Sequence, residues 1–439
     1  MRRILYMAVV AVTLGACEVP DWLGEPEEPP LPGKRIPVMS LDNTLKVDAG
    51  IANLAVRLPR PRLNLEWPQD GGNADHAMNH LAAPGPLERL WDADIGKGAA
   101  HDSGVLASPV SGGGRMFALD TVGTVSAFRA DNGERLWRVN VVPEEEEDEA
   151  LGGGVAFGAG RLFITTGVGE VIALNAATSG ELWRVGLGAP VRVAPTYSEG
   201  RVFVVTYENK LYALDANNGA LLWTHSGISE EAQLLGGASP AVSGGLVVAA
   251  YSSGEIYALR VDNGREAWNY TLGSIARLGP LASLGDIIAS PVIDRELVYA
   301  VSHAGHLIAI SLRSGERLWE QNISGVQTPW IAGDFLFILT TQGDLLCLSR
   351  IDGLIRWIRR LPRYEDPEDK EGPILWSGPL LVSDRLIVVS SIGQAVSISP
   401  YTGALLGLLE MPGNIEISPI ASNGMVYILT MDGELIALR

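Results

Sequence analysis

The stretch Leu211-Tyr-Ala-Leu-Asp-Ala-Asn-Asn-Gly-Ala-Leu-Leu-Trp223 recurs with small changes along the chain. Self-similarity at a steady period restricts the fold more than composition can. The stretch reads as an apolar strand, a polar turn through Asn218 and Gly219, and a second strand carrying Trp223. Its siblings include Ala127-Phe-Arg-Ala-Asp-Asn-Gly-Glu-Arg-Leu-Trp137, Ala258-Leu-Arg-Val-Asp-Asn-Gly-Arg-Glu-Ala-Trp268 and Ala309-Ile-Ser-Leu-Arg-Ser-Gly-Glu-Arg-Leu-Trp319. Tryptophan marks seven such second strands, at 91, 137, 183, 223, 268, 319 and 357, and Gly407 stands at the eighth. The markers fall roughly 40 to 50 residues apart, the length of a four-stranded propeller blade.

Each unit supplies strands A to D. Strand A is expected to begin at a proline (109, 195, 240, 291, 329, 379 and 419), with Val155 as the substitute. A missing N–H costs no ladder bond at the start of an edge strand. A B–C hairpin follows with glycine at its turn, as at Gly254, Gly305, Gly343 and Gly433. Its flanks, such as Val202-Phe-Val-Val205, are apolar without alternation, the pattern of strands covered on both faces. Eight hairpins and eight D strands are present, but the first D strand (Arg89-Leu-Trp91) has no hairpin before it and the last hairpin has no D strand after it. The expected fold is therefore all-β: an eight-bladed propeller over 87–439 in which the Trp91 segment completes the blade formed by 415–439. Such closure removes the open edges of a linear array.

This strand order puts the D–A and B–C loops on one face. The longest D–A connections, 142–154, 226–239, 271–290 and 361–378, make that face the expected functional side. Two carry acidic runs, 144–149 and 365–369, which read as solvated loop.

The net charge of −18 argues against nucleic acid as a partner, because phosphate binding needs a basic surface. Of the two cysteines, Cys347 occupies a repeat position held elsewhere by Ala258 and Ala309 and reads as a packing residue. Cys17 ends an amino-terminal signal over 1–16: basic Arg2 and Arg3, an apolar run from Ile4 to Leu14 too short to span a bilayer, then Gly15-Ala16-Cys17. The proline- and glutamate-rich stretch 17–34 reads as an extended spacer. Residues 35–86 give no structural reading beyond a possible short strand at Arg35-Ile-Pro-Val-Met39.

No catalytic constellation is expected. His303 and His306 flank a B–C turn and read as a solvent-facing hairpin rather than a metal site. A Gly-x-Ser-x-Gly elbow, a Walker A sequence and a His-Glu-x-x-His helix are all missing. Gly152-Gly-Gly154 precedes a strand and offers no phosphate cradle.

Leu14-Gly15-Ala16-Cys17 resembles the lipobox of bacterial lipoproteins. That resemblance implies lipidation of Cys17 and, with Glu18 in place of aspartate after it, no inner-membrane retention signal. The turn-and-tryptophan unit resembles the PQQ-type propeller repeat. The quinone dehydrogenases of that family carry adjacent cysteines, which this chain lacks, so no cofactor is expected. A lipid-anchored propeller of this type resembles the BamB-type outer-membrane assembly lipoproteins. The likeness covers 88–439 and the lipobox. It implies a non-enzymatic scaffold at the periplasmic face of the outer membrane, docking a POTRA domain of BamA and assisting unfolded outer-membrane proteins. It also implies contact through two neighbouring D–A loops. Here Leu234 matches an apolar contact position and Asp286 approximately matches an acidic one. The family's loop arginine has no counterpart: Leu235 stands near its place, and Arg277 is the substitute cation. A quinoprotein relative and a surface glycan-binding propeller remain the alternatives.

Overall fold

The repeat becomes a ring of eight four-stranded antiparallel sheets in the computed structural model, which describes residues 45–99, 106–143, 152–229, 236–272 and 287–439. The architecture lies within the unit Lys46–Arg439. Blades 1 to 7 span 110–140, 153–186, 196–226, 241–271, 292–321, 330–360 and 376–410. Blade 8 joins the two ends of the ring: Arg89–Asp94 pairs with Glu434–Leu438, placing Trp91 opposite Ala437. Glu88 and Arg439 lock this seam by exchanging main-chain bonds of 2.9 and 3.0 Å. The expected closure is the observed one.

Strands B and C are buried almost throughout, as in Arg201–Thr206, whereas D strands such as Glu181–Gly186 bury chiefly the tryptophan. Most A strands follow their proline directly, but blade 7 differs. Its A strand starts at Trp376, so Pro379 lies inside it, where the register shifts between Ser377 and Leu380. A bulge accommodates a residue that cannot donate to the ladder.

The tryptophans connect each blade to the next. A Cβ added to Gly219 would lie 2.7 Å from the Trp183 ring, and one on Gly264 would lie 2.6 Å from Trp223. Both glycines have φ near +70°, a conformation that strains residues with side chains. The same contact joins Trp268 to Gly315, Trp319 to Gly353, Trp357 to Gly403 and Trp91 to Gly133. The indole N–H donates to a carbonyl of the following blade, as from Trp223 to Val261 (3.0 Å) and from Trp268 to Leu312 (2.7 Å). Blade 2 is the variant: Ser179 takes the left-handed position with φ +60°, and the glycine falls one residue later at Gly180.

The missing eighth tryptophan has a physical reason. A tryptophan on the D strand of blade 7 would need a C–D turn in blade 8 to sit on. There strand C is Glu434–Leu438 and strand D is Arg89–Asp94, far apart in sequence, so no C–D turn joins them. Gly407 leaves that place open. A groove of about 580 Å³ remains between Leu406, Leu408 and Leu409 on one side and Pro84, Pro86 and Leu87 on the other.

Residues 57–88 run across the A–B end of the ring and hydrogen-bond to every blade. Trp67 exchanges main-chain bonds with Ser111 of blade 1, Pro68 accepts from Phe157, and the Gln69 side chain accepts from Tyr197 N. Ala74 and Asp75 accept from Val242 and Ile293, and Asn79 accepts from the Trp330 indole. Leu81 bridges to Val382, and Asn64 reaches Ala421 and Asn423 in blade 8. This segment closes one end of the axis.

Trp223→Ala is expected to cost about 3–5 kcal/mol in urea melts, the usual loss for a buried aromatic. Gly407→Trp, which adds a ring with no glycine to receive it, should stay within about 1 kcal/mol of the parent. Burial raises the Cys347 thiol pKa far above its ordinary value. In a Cys17→Ser background, native protein should resist thiol alkylation and urea-unfolded protein should react.

Candidate functional site: the loop roots of blades 3 to 5

The sequence places the candidate contacts on the D–A loops after blades 3 and 4. Leu234 and Leu235, Arg277 and Asp286 all lie outside the described residues, as do Cys17 and the acidic run 144–149. The roots of both loops are described, and they adjoin. Ser239 N donates to Ser290 Oγ at 3.0 Å, while Ser239 Oγ donates to the Ala194 carbonyl at 3.0 Å. Two serines, each preceding an A-strand proline, thereby tie blades 3, 4 and 5 together. A small cavity of about 30 Å³ separates the roots, lined by Arg192, Tyr207, Asn209, Gly236 and Ile287 among others. The Arg192 guanidinium lies 4.3 Å over the Tyr207 ring, a cation–π arrangement that keeps a charge fixed at the mouth.

Farther from the axis, Glu255 holds the start of the 230–235 connection. Its carboxylate accepts from Ile228 N (2.8 Å), Ser253 Oγ (2.9 Å) and the Tyr257 hydroxyl (2.9 Å). Glu255 is buried and makes no ion pair among the described residues. Burial, then the hydrogen bond to Glu255, pushes the Tyr257 hydroxyl up to about 12. Burial lowers the His225 pKa against the opposing pull of Glu266 and Glu255, and its ring stacks on Tyr251. The sequence held a signal for this cluster. The residue after the B–C glycine is charged in several repeats, and Glu170, His306 and Glu434 each pair with a D-strand partner: Arg184, Glu320 and Arg89. Glu255 carries the same position but uses its charge on a loop.

Two expectations need correction. His306 does not face solvent: it is buried, with Nδ1 2.5 Å from Glu320 Oε1, because the D strand folds over the hairpin. The run 365–369 is part of an ordered hairpin, in which Tyr364–Asp366 pairs with Glu371–Pro373, rather than plain loop. The Trp376 indole fixes its base through the Pro362 carbonyl at 2.8 Å.

Blade 7 offers the other unusual surface. Every residue of its D strand, Leu405–Glu410, is exposed, and Leu405, Leu406 and Leu408 are each more than half exposed. The sequence shows this strand as the repeat without tryptophan, but not the groove beside it.

Fold and loop roots together define a PQQ-type propeller that carries its distinctive surface on one loop face. The family model described as "Outer membrane protein assembly factor BamB" matches residues 121–359, over half of the chain. The chain belongs to that family. It is 22% identical over 247 residues to the assembly factor BamB of Moranella endobia, covering 56% of this chain and 61% of that one. Across the first such relatives the match covers between 48% and 61% of their length. Among solved structures, BamB from Moraxella catarrhalis superposes with a TM-score of 0.67 at 21% identity, over 80% of this chain and 99% of that one. Quinohemoprotein alcohol dehydrogenase from Comamonas testosteroni gives 0.65 at 14% identity, over 85% and 80%. At these identities the structures attest the fold alone.

The dehydrogenase likeness raises the question of a quinone site. Among the described residues, the lining of the axial cavity contains Asp70 and neither lysine nor arginine. A tricarboxylate quinone would meet like charge there without a cation to hold it. The residues do not fit that group.

Glu255→Ala leaves Ile228 N–H and two hydroxyls without their acceptor, a loss of about 1–3 kcal/mol. Hydrogen exchange at residues 227–229 should accelerate while the amides of blades 6 and 7 keep their protection.

Proposed function

We propose that this chain is a non-enzymatic scaffold in the assembly of outer-membrane β-barrel proteins. Lipidated at Cys17, it sits on the periplasmic face of the outer membrane. It docks a POTRA domain of a BamA-type subunit through the loops that contain Leu234, Leu235, Arg277 and Asp286. The observation that carries this reading is the Ser239–Ser290 tie, which fixes the far ends of both loops side by side, where each runs into its A strand. Apolar leucines with a few charges suit an interface of ordinary size. Family membership supports the assembly role, because the matching family is described as an outer-membrane assembly factor.

The exposed edge Leu405–Glu410 supports a further part in handling substrate. Its backbone can receive an extended chain by strand addition, and the adjoining groove suits the apolar side chains of an unfolded barrel strand. The quinoprotein alternative is disfavoured by the lining of the axial cavity.

Affinity capture from membranes tests the docking. The parent chain should retain a POTRA-containing subunit, and Leu234→Glu with Leu235→Glu should weaken capture at least about tenfold, or about 1.4 kcal/mol. Equal capture by both forms would refute this contact. Cys17→Ser should release the chain from membranes in fractionation, since the acyl chains supply the anchor.

A further inference from the structure

The axis of the ring contains a cavity of about 220 Å³. The crossing segment provides its floor, with Trp67, Asp70, Gly71 and His76. The entries to the A strands provide its walls, with Ser290, Pro329, Pro379 and Pro419. Because those entries begin at the D–A loops, the mouth opens toward the loop face.

Two acceptors distinguish this cavity. His76 is 5% exposed, and its Nδ1 lies 2.7 Å from the Pro291 carbonyl. A carbonyl only accepts, so Nδ1 carries the proton of the neutral ring and Nε2 presents a lone pair. Burial lowers the His76 pKa, in keeping with the neutral form, although Asp70 and the Pro291 bond pull the other way. Nε2 is buried and has no hydrogen-bond partner among the described residues. A buried polar atom left unpaired is costly, so its persistence calls for an explanation.

The second acceptor is the Asp70 carboxylate. Among the described residues it makes no ion pair, and it accepts from Ser290 Oγ at 3.3 Å. Among the described residues the lining holds no lysine or arginine to pair with it. The stacked indoles of Trp67 and Trp330, with centroids 6.3 Å apart, add aromatic surface to the same lining. Such surface favours a positive group.

We propose that the axial cavity binds a primary alkylammonium group, donating to His76 Nε2 and the Asp70 carboxylate. The ammonium group has three donors and no acceptor, which complements a lone pair and an anion. Its source is either a free small amine or a lysine side chain entering from the loop face. The site does not need the lipid anchor, and of the docking loops its lining includes only their roots, at Gly237, Ile288 and Ser290, so it is tested apart from the assembly role.

Calorimetric titration of the full-length chain near neutral pH tests it, using n-butylammonium, N-acetyl-lysine methylamide and neutral n-butanol. One-to-one binding of at least one amine is expected, with no comparable binding of the alcohol. Tighter binding of the lysine derivative assigns the site to a protein side chain; equal or tighter binding of n-butylammonium assigns it to a free amine. Asp70→Asn, close in shape, should weaken binding at least about tenfold. In the parent chain, the nitrogen resonance of His76 Nε2 should shift on saturation, a readout that does not depend on how the variant folds. No binding of either amine up to about 20 mM, equal binding of the alcohol, unchanged affinity in a folded Asp70→Asn variant, or an unmoved His76 resonance would each overturn the proposal.

Discussion

The contact on which the ring depends is an indole lying on a left-handed glycine of the next blade. It combines a large buried aromatic surface, a close approach that a Cβ would block, and an N–H donated to a neighbouring carbonyl. Repetition of this contact turns separate sheets into one ring. The exceptions follow from the same geometry. In blade 8, where Arg89–Asp94 pairs with Glu434–Leu438, no C–D turn joins the two strands to receive an indole, and Gly407 replaces the tryptophan. The structure therefore has an open groove and an exposed leucine strand at a place set by closure. Trp91, on the other side of the seam, still meets Gly133, but its Nε1 has no partner among the described residues, while the Tyr427 hydroxyl donates to the Ala130 carbonyl.

A ring held this way leaves its two ends free to differ. Hydrogen bonds to all eight blades, most of them between main chains, commit the A–B end to the segment 57–88. The opposite end carries the loop roots, where Ser239 and Ser290 couple blades 3 to 5 and Glu255 fixes the first turn of one connection. The axial cavity links the two ends: its floor belongs to the crossing segment, and its mouth faces the loops. Function is thus expected where the repeat is interrupted rather than where it is most regular.

The ring was largely legible in the sequence because glycine, tryptophan and proline each serve one steric purpose at a fixed place. Position-level exceptions were less so. Ser179 adopts the conformation that glycine takes elsewhere, and Pro379 lies within a strand at a bulge. The crossing segment was not legible. It bonds mainly through its backbone to surfaces supplied by eight distant blades, so it needs no periodicity of its own. His306 looked like a turn residue because the D-strand carboxylate that buries it comes from another part of the repeat. The candidate contact loops carry no repeated pattern, and their roots alone tie them to the framework.

Site-specific photocrosslinking in cells tests most directly whether the loop face of blades 3 to 5 carries the interaction. A photoreactive residue placed at Leu234 or Asp286 should join the chain to a POTRA-containing subunit. The same residue at Ala159, in the A–B turn of blade 2 at the other end, should not. Crosslinks from Ala159 with none from Leu234 or Asp286 would contradict the account.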